Sequence, residues 1–366
     1  MTATSAGTLR VRVLNVGQGD AVVVFLPESP RALVVDAFES ERVLRALEEN
    51  AIAEIVLFLS HSDKDHVDGV QYLLDNFRGR VVAFLYNRDR LNAVLGGRYV
   101  ELLRSLARAT REQATRNESV WSSDFNTNLN ADARFCWLVT APVSLDVLHP
   151  THDEQSSLLG TSTNEASGVL RIAFTFSDGT TRSVLLTGDV QLTGVSCLLH
   201  RFHNFGDRLR ADVLKFPHHG AWPANYPAIN QFPGVEKRTL TKFLEAVDPK
   251  IVILSVGMEN KHGHVRKEAF EALLALRRHH LRLTRLVCTQ ITPTCLRSPK
   301  RSGPPACGGD VEIRIGDGLP DRIEVSPAEP EHLSRILSLT DRDQAACSPL
   351  LQGSDNCHEG APRGDE

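Results

Sequence analysis

Residues 60 to 69 read Ser-His-Ser-Asp-Lys-Asp-His-Val-Asp-Gly, so two imidazoles, His61 and His66, and two carboxylates, Asp63 and Asp65, fall within six residues. They follow directly on an apolar run, Ile55–Leu59, which reads as a buried strand. Burying that much polarity without a partner costs several kcal/mol per group. A bound cation removes the cost. Mixed imidazole and carboxylate donors suit Zn²⁺ or Mn²⁺, whereas all-oxygen sets suit Mg²⁺ or Ca²⁺. The plain alternative is a polar surface turn, and the pattern H-x-D-x-D-H straight after a core strand speaks against it.

Other stretches have the same form, an apolar run closing on ligand-type side chains. Leu185-Leu186-Thr187-Gly188 ends in Asp189, and Leu214-Lys215-Phe216-Pro217 ends in His218-His219-Gly220. Ser255-Val256-Gly257 is followed by Asn260-Lys261-His262-Gly263-His264. Upstream, Val13–Val16 runs into the turn Gly17-Gln18-Gly19-Asp20, and Ala32–Val35 closes on Asp36. The pattern at 61–66 resembles the H-x-H-x-D-H signature of the metallo-β-lactamase fold superfamily, with Asp63 in place of the second histidine. Taken together and in this order, over roughly residues 9 to 325, the blocks resemble the hydrolase domain of the ComEC competence-protein family.

That resemblance implies an α/β (α+β) chain folded as an αββα sandwich, with two divalent metal ions, Zn or Mn. By position, His61 and Asp63 would hold the first ion, and Asp65 and His66 the second, with Asp189 bridging. His218 or His219 would complete the second site, and the sequence leaves both open. The superfamily's lone histidine upstream of the bridging aspartate is missing; Asn164 and Ser167 stand in the matching segment. Oxygen-rich ligation of the first ion favours Mn²⁺ over Zn²⁺ there. Asp65 is a catalytic candidate. His264 sits where a general acid or phosphate contact would serve, or is a hydrogen-bonded loop histidine. Asp36 and Asp20 read as partners that orient the histidines, Asp20 equally as a turn-stabilising residue. Lys215 reads as a strand-edge cation and His149 as a strand cap.

Two such ions clamp the attacking and leaving oxygens of a phosphodiester. The expected activity is therefore hydrolysis of nucleic acid or a nucleotide, with the choice of phosphodiester resting on the resemblance. The rivals are hydrolysis of an ester, lactone or thioester, and a metal-binding docking protein that has lost turnover.

These side chains need rigid elements behind them. Alternation and turn residues predict strands at Leu9–Val16, Ala21–Leu26, Ala32–Val35, Ile55–Leu59 and Val81–Tyr86. Further strands are expected at Arg134–Val139, Leu145–Leu148, Val169–Phe176, Ser183–Leu186, Asp212–Phe216 and Lys250–Val256, with edge strands at Val311–Ile315 and Arg322–Val325. Helices are expected at Ser40–Asn50, with Ser40 as N-cap, and at Val67–Phe77, 88–118 and Val265–His279. Arg104, Arg108, Arg111 and Arg116 give the third helix a basic face, either solvated or a phosphate-binding rim. Asn117–Asp132 reads as loop.

The organisation expected is a flexible leader over 1–8, one hydrolase domain over 9–326 and a partly disordered tail over 327–366. The 366 residues are 42% hydrophobic and 23% charged with net charge −4, an ordinary globular composition without a global basic footprint for polyanions. No secretory leader is visible, and no apolar run approaches the roughly 18 residues of a membrane span. A cytoplasmic protein with no membrane partner is expected, and DNA transport is not implied; whether another protein delivers substrate is not encoded in these motifs. The seven cysteines form no C-x-x-C pair, which argues against a structural zinc knuckle.

Overall fold

A computed structural model describes residues 7–77, 80–86, 102, 104–108, 121–124, 141–151, 153–154, 158, 162–204, 206–222, 235–257, 264–266, 269, 272–273, 275–276, 283–290 and 309–326. Two sheets lie at its centre. The first runs through β1 (Leu9–Val13), β2 (Ala21–Phe25), β3 (Arg31–Ala37), β4 (Glu54–Leu59), β5 (Val81–Tyr86) and β6 (Trp121–Asp124). The second contains β7 (Val143–His149), β8 (Val169–Thr175), β9 (Thr181–Leu186), β10 (Val213–Lys215), β11 (Ile251–Leu254) and β12 (Arg285–Cys288). Late in the chain, β13 (Val311–Ile315) and β14 (Ile323–Val325) return to the first sheet, whose order is β14-β13-β1-β2-β3-β4-β5-β6. The second sheet is ordered β12-β11-β10-β9-β8-β7.

The near-continuous apolar strands follow from burial on both faces. Successive side chains point to opposite sides, so in β4 Val56 and Phe58 enter the core between the sheets. Ile55, Leu57 and Leu59 face outward, onto α1 (Ser40–Glu49) and α3 (Val70–Asn76), where Val43, Leu47, Leu73 and Leu74 cover them. The second sheet does the same. Val184, Leu186, Val213 and Ile253 face inward. Leu185, Leu214, Val252 and Leu254 meet Val195 and Leu198 of α4 (Leu192–Phe202) and Leu240, Phe243 and Leu244 of α5 (Val235–Val247). Helix, sheet, sheet, helix is an αββα sandwich. No helix among the described residues is long and apolar enough to cross a membrane.

Several elements differ from the sequence expectation. The helix after β4 is two pieces, α2 (Lys64–Val67) and α3, so the metal-type motif itself lies partly in a helical turn. Gly69 stands between them, where a Cβ would sit 1.7 Å from the Ala37 carbonyl oxygen. Ser40 is the first helical residue rather than the cap; Glu39 holds that place, at φ 56°, without a side-chain cap bond. The stretch read as loop over Asn117–Asp132 contains β6, which pairs in parallel with β5. Val311–Ile315 is no edge strand, because β1 and β14 flank it. Neither α4, α5 nor β12 was anticipated. Strand Arg134–Val139, Arg111, Arg116, most of the 88–118 helix and the tail from 327 lie outside the described residues.

Candidate metal centre

The parallel strands β3 and β4 of the first sheet and β9, β10 and β11 of the second end at the same rim. In open α/β sheets the carboxyl ends of strands are where ligands bind, because side chains there are fixed by the strand yet free of the ladder. His61, Asp63, Asp65 and His66 follow β4 and run into α2. Asp189 follows β9 across Gly188, whose φ of +49° favours glycine. His218 and His219 follow β10.

These groups converge on the Asp189 carboxylate. His66 Nε2 lies 3.3 Å from Oδ1. His61, His218 and His219 present Nε2 to Oδ2 at 3.9, 3.6 and 3.5 Å. Asp63 Oδ2 is 3.7 Å from His61 Nε2, and Asp65 Oδ2 is 3.6 Å from His219 Nε2. All are longer than the ordinary 2.7–3.2 Å hydrogen bond. Among the described residues, His61 Nε2, His66 Nε2, His219 Nε2 and Asp189 Oδ1 are buried without a hydrogen-bond partner. Buried orphans of this kind are rare and need an explanation. Bound cations would satisfy them, since ligands at about 2.0–2.1 Å in tetrahedral array stand roughly 3.4 Å apart.

The surroundings hold the rings for that purpose. Asp36 accepts from the Ser60 amide and hydroxyl, each at 2.7 Å, and its Oδ2 faces His66 Nδ1 at 2.7 Å. His219 Nδ1 donates to the Ser255 carbonyl at 2.7 Å, leaving Nε2 as the lone-pair nitrogen. His61 Nδ1 is 3.1 Å from Ser60 Oγ, and Gln191 bonds His218 Nδ1. Thr163 donates to Asp63 Oδ1 at 2.7 Å. Ser167 Oγ accepts from the Asp189 amide at 3.2 Å, and Asn164 Nδ2 is 3.4 Å from His218 Nε2. His264 is buried, 5.5 Å from the His218 ring and 6.3 Å from the His219 ring between centroids, with Nδ1 3.0 Å from Gln18 Nε2.

Electrostatics sort the protonation states. Burial, with the nearby His66 charge, pushes His61 below the usual histidine value despite Asp189 and Asp63. Burial takes His218 down to about 4 against Asp189. Burial opposes the charge on Asp189, but His219, His66 and His218 outweigh it and hold the carboxyl well below its usual value. Burial likewise opposes a charged His66, and Asp189 and Asp36 override it, raising His66 well above the ordinary range. A divalent ion bound there would need the carboxylate ionised and the imidazoles deprotonated, and the raised His66 marks where the fold seeks positive charge.

Asp20 also comes within reach: Asp20, His66, Asp189 and His219 each offer an atom within 4.8 Å of the others. It faces the Nδ1 atoms of His66 and His219 at 3.9 and 3.7 Å, and its Oδ1 is likewise buried without a hydrogen-bond partner among the described residues. Its Oδ2 is paired with Lys215. Lys215 is therefore not the strand-edge cation expected, but a fully buried partner of Asp20 that joins the first glycine turn to β10. His149 lies elsewhere, between Glu154 and the Glu165 carbonyl. Arg108 is ion-paired with Asp75 of α3. Ser60, Thr163, Gln191 and Ser255 were not anticipated; only the adjacency of Ser60, Gln191 and Ser255 to motif blocks hinted at them.

Among known proteins, the chain is 23% identical over 295 residues to ComE operon protein 3 of Bacillus subtilis strain 168, an alignment covering 75% of this chain and 31% of that protein. The chain thus spans about a third of the length of the curated relative it matches. No family model matches. Among solved structures it is similar to the metallo-β-lactamase fold protein YhfI of Bacillus subtilis, at 14% identity and TM-score 0.40, covering 76% of this chain and 96% of the other. It is also similar to the metallo-β-lactamase MIM-1 of Novosphingobium pentaromativorans, at 12% identity and TM-score 0.33, covering 65% and 89%.

Proposed function

We propose that the chain is a metal-dependent hydrolase, a binuclear phosphodiesterase acting on nucleic acid or nucleotides. The observation that carries the metal-dependent part is the set of orphaned buried donors around Asp189 at separations too long for hydrogen bonds. The phosphodiester substrate is supported by the motif blocks shared with the ComEC hydrolase domain. His61 and Asp63 would hold one ion, Asp65, His66 and His219 the other, with Asp189 between them. When bound, two divalent ions polarise the phosphoryl group and neutralise charge as the P–O bond breaks.

The chain's own residues do the rest. Asp63 and Asp65, each 34% exposed, form the open side of the site, while His61, His66 and His219 are sealed behind it. With Gln18 donating to His264 Nδ1, the proton of that imidazole sits on Nε2, where it can pass to a leaving oxygen. The test is hydrolysis of a chromogenic phosphodiester by chelator-stripped protein re-supplied with Mn²⁺, Zn²⁺ or Mg²⁺, beside Asp65→Ala and His66→Ala. Turnover restored by metal and abolished in both variants supports the reading. Metal uptake without phosphodiester turnover, but with turnover of an ester or lactone, replaces the substrate class.

A further inference from the structure

We propose that the tandem histidines are divided between the two ions, His218 serving the first and His219 the second, so that His218 replaces the superfamily's missing upstream histidine. The assignment rests on the two-ion reading above. His219 Nε2 faces Asp65 at 3.6 Å, on the side of His66. His218 Nε2 approaches Asp189 Oδ2 at 3.6 Å, the oxygen that His61 Nε2 meets at 3.9 Å, and His61 in turn lies 3.7 Å from Asp63. His61, Asp63 and His218 thus gather about Asp189 apart from the set of Asp20, His66, Asp189 and His219, whose donor atoms all lie within 4.8 Å of one another.

The backbone explains how neighbours in sequence reach different places. His218 and His219 are both left-handed, at φ 48° and 52°, a conformation rare for residues other than glycine and held where surrounding structure dictates it. Their ring planes stand 69° apart with centroids 6.2 Å apart, splayed around one carboxylate. Separate elements hold them: the Gln191 amide, at the start of α4, meets His218 Nδ1, where its oxygen must accept if Nε2 is to ligate, and the Ser255 carbonyl, after β11, accepts from His219 Nδ1. Asn164, in the segment that should carry the missing histidine, instead packs its amide 3.4 Å from His218 Nε2.

The test is metal stoichiometry of the full chain, read by elemental analysis and by the visible spectrum of the Co²⁺-loaded protein. His218→Gly is the main variant because glycine accepts the left-handed backbone while deleting the ring. His218→Asn, also tolerant of that conformation, is the second, and circular dichroism checks the fold of both. The parent should hold two equivalents, His218→Gly one, and His219→Gly one with a different Co²⁺ spectrum. Free imidazole should restore the second equivalent to His218→Gly, and His218→Asn should hold it at least about tenfold more weakly. Asn164→Ala should keep both. Two equivalents held by His218→Gly as tightly as by the parent overturns the assignment, as does loss of the first ion in Asn164→Ala alone. A parent binding one ion leaves metal dependence standing and overturns the division. A parent binding none overturns the proposed function together with it.

Discussion

At the scale of single residues, the two buried carboxylates behind the metal centre have different tasks. Asp36 spends both oxygens on Ser60 and His66, so Asp36→Asn should leave the fold intact and weaken metal binding by about 10–100-fold, measured by titration against a chelator dye. Asp20 and Lys215 instead neutralise each other in the core. Lys215→Met strands a buried carboxylate and should cost about 3–5 kcal/mol in urea denaturation, much of which Asp20→Asn in the same chain should recover. A double variant as unstable as Lys215→Met alone would count against that pairing. Sequence made the donors readable because each closes an apolar run. It hid the partner of Lys215, which lies 195 residues away across the sandwich. It also left the tandem histidines undivided, since only backbone torsions separate them.

Among the elements, the glycine between α2 and α3 is a steric necessity. Gly69→Ala would drive a Cβ into the end of β3 and should lower stability by about 2–3 kcal/mol, visible in thermal melts, despite the higher helix propensity of alanine. The turn carrying Thr163 and Asn164 is tied down by His149 through the Glu165 carbonyl, and His149 by Glu154. Burial works against an ionised Glu154, but His149, the Thr151 amide and Arg201 outweigh it, so its folded value lies below the usual 4.5. Its contribution is thus present above pH 4.5 and lost as pH falls through the lower folded value. The melting-temperature gap between parent and Glu154→Gln should hold at neutral pH and close in that acid window. Strands buried on both faces were readable as apolar runs. The four-residue β6, Trp-Ser-Ser-Asp, was not, because its pairing with β5 leaves no mark on composition. Helix α4 did carry a signal in Leu192, Val195, Leu198, Leu199 and Phe202, at helical spacing.

For the whole molecule, the candidate metal centre is a seam. Four candidate donors follow a strand of the first sheet and three, Asp189, His218 and His219, strands of the second, so bound ions would tie the two halves together. Each ion at 100–1,000 times its dissociation constant should add about 3–4 kcal/mol, so two should add roughly 5–8 kcal/mol. Chelation should accordingly lower the melting temperature by about 5–15 °C by calorimetry; no change on chelation in a protein shown to bind metal would deny the seam. The pairing of β1 with β13 carries a further consequence, for how the chain is made. Arg12 of β1 and its partner Glu312 of β13 are 300 residues apart. A ribosome adding roughly 5–20 residues per second leaves β1 with one open edge for roughly 15–60 s. During that interval its backbone is a template for any passing strand, so newly synthesised chains, rather than finished ones, are the population most exposed to aggregation and most in need of chaperones.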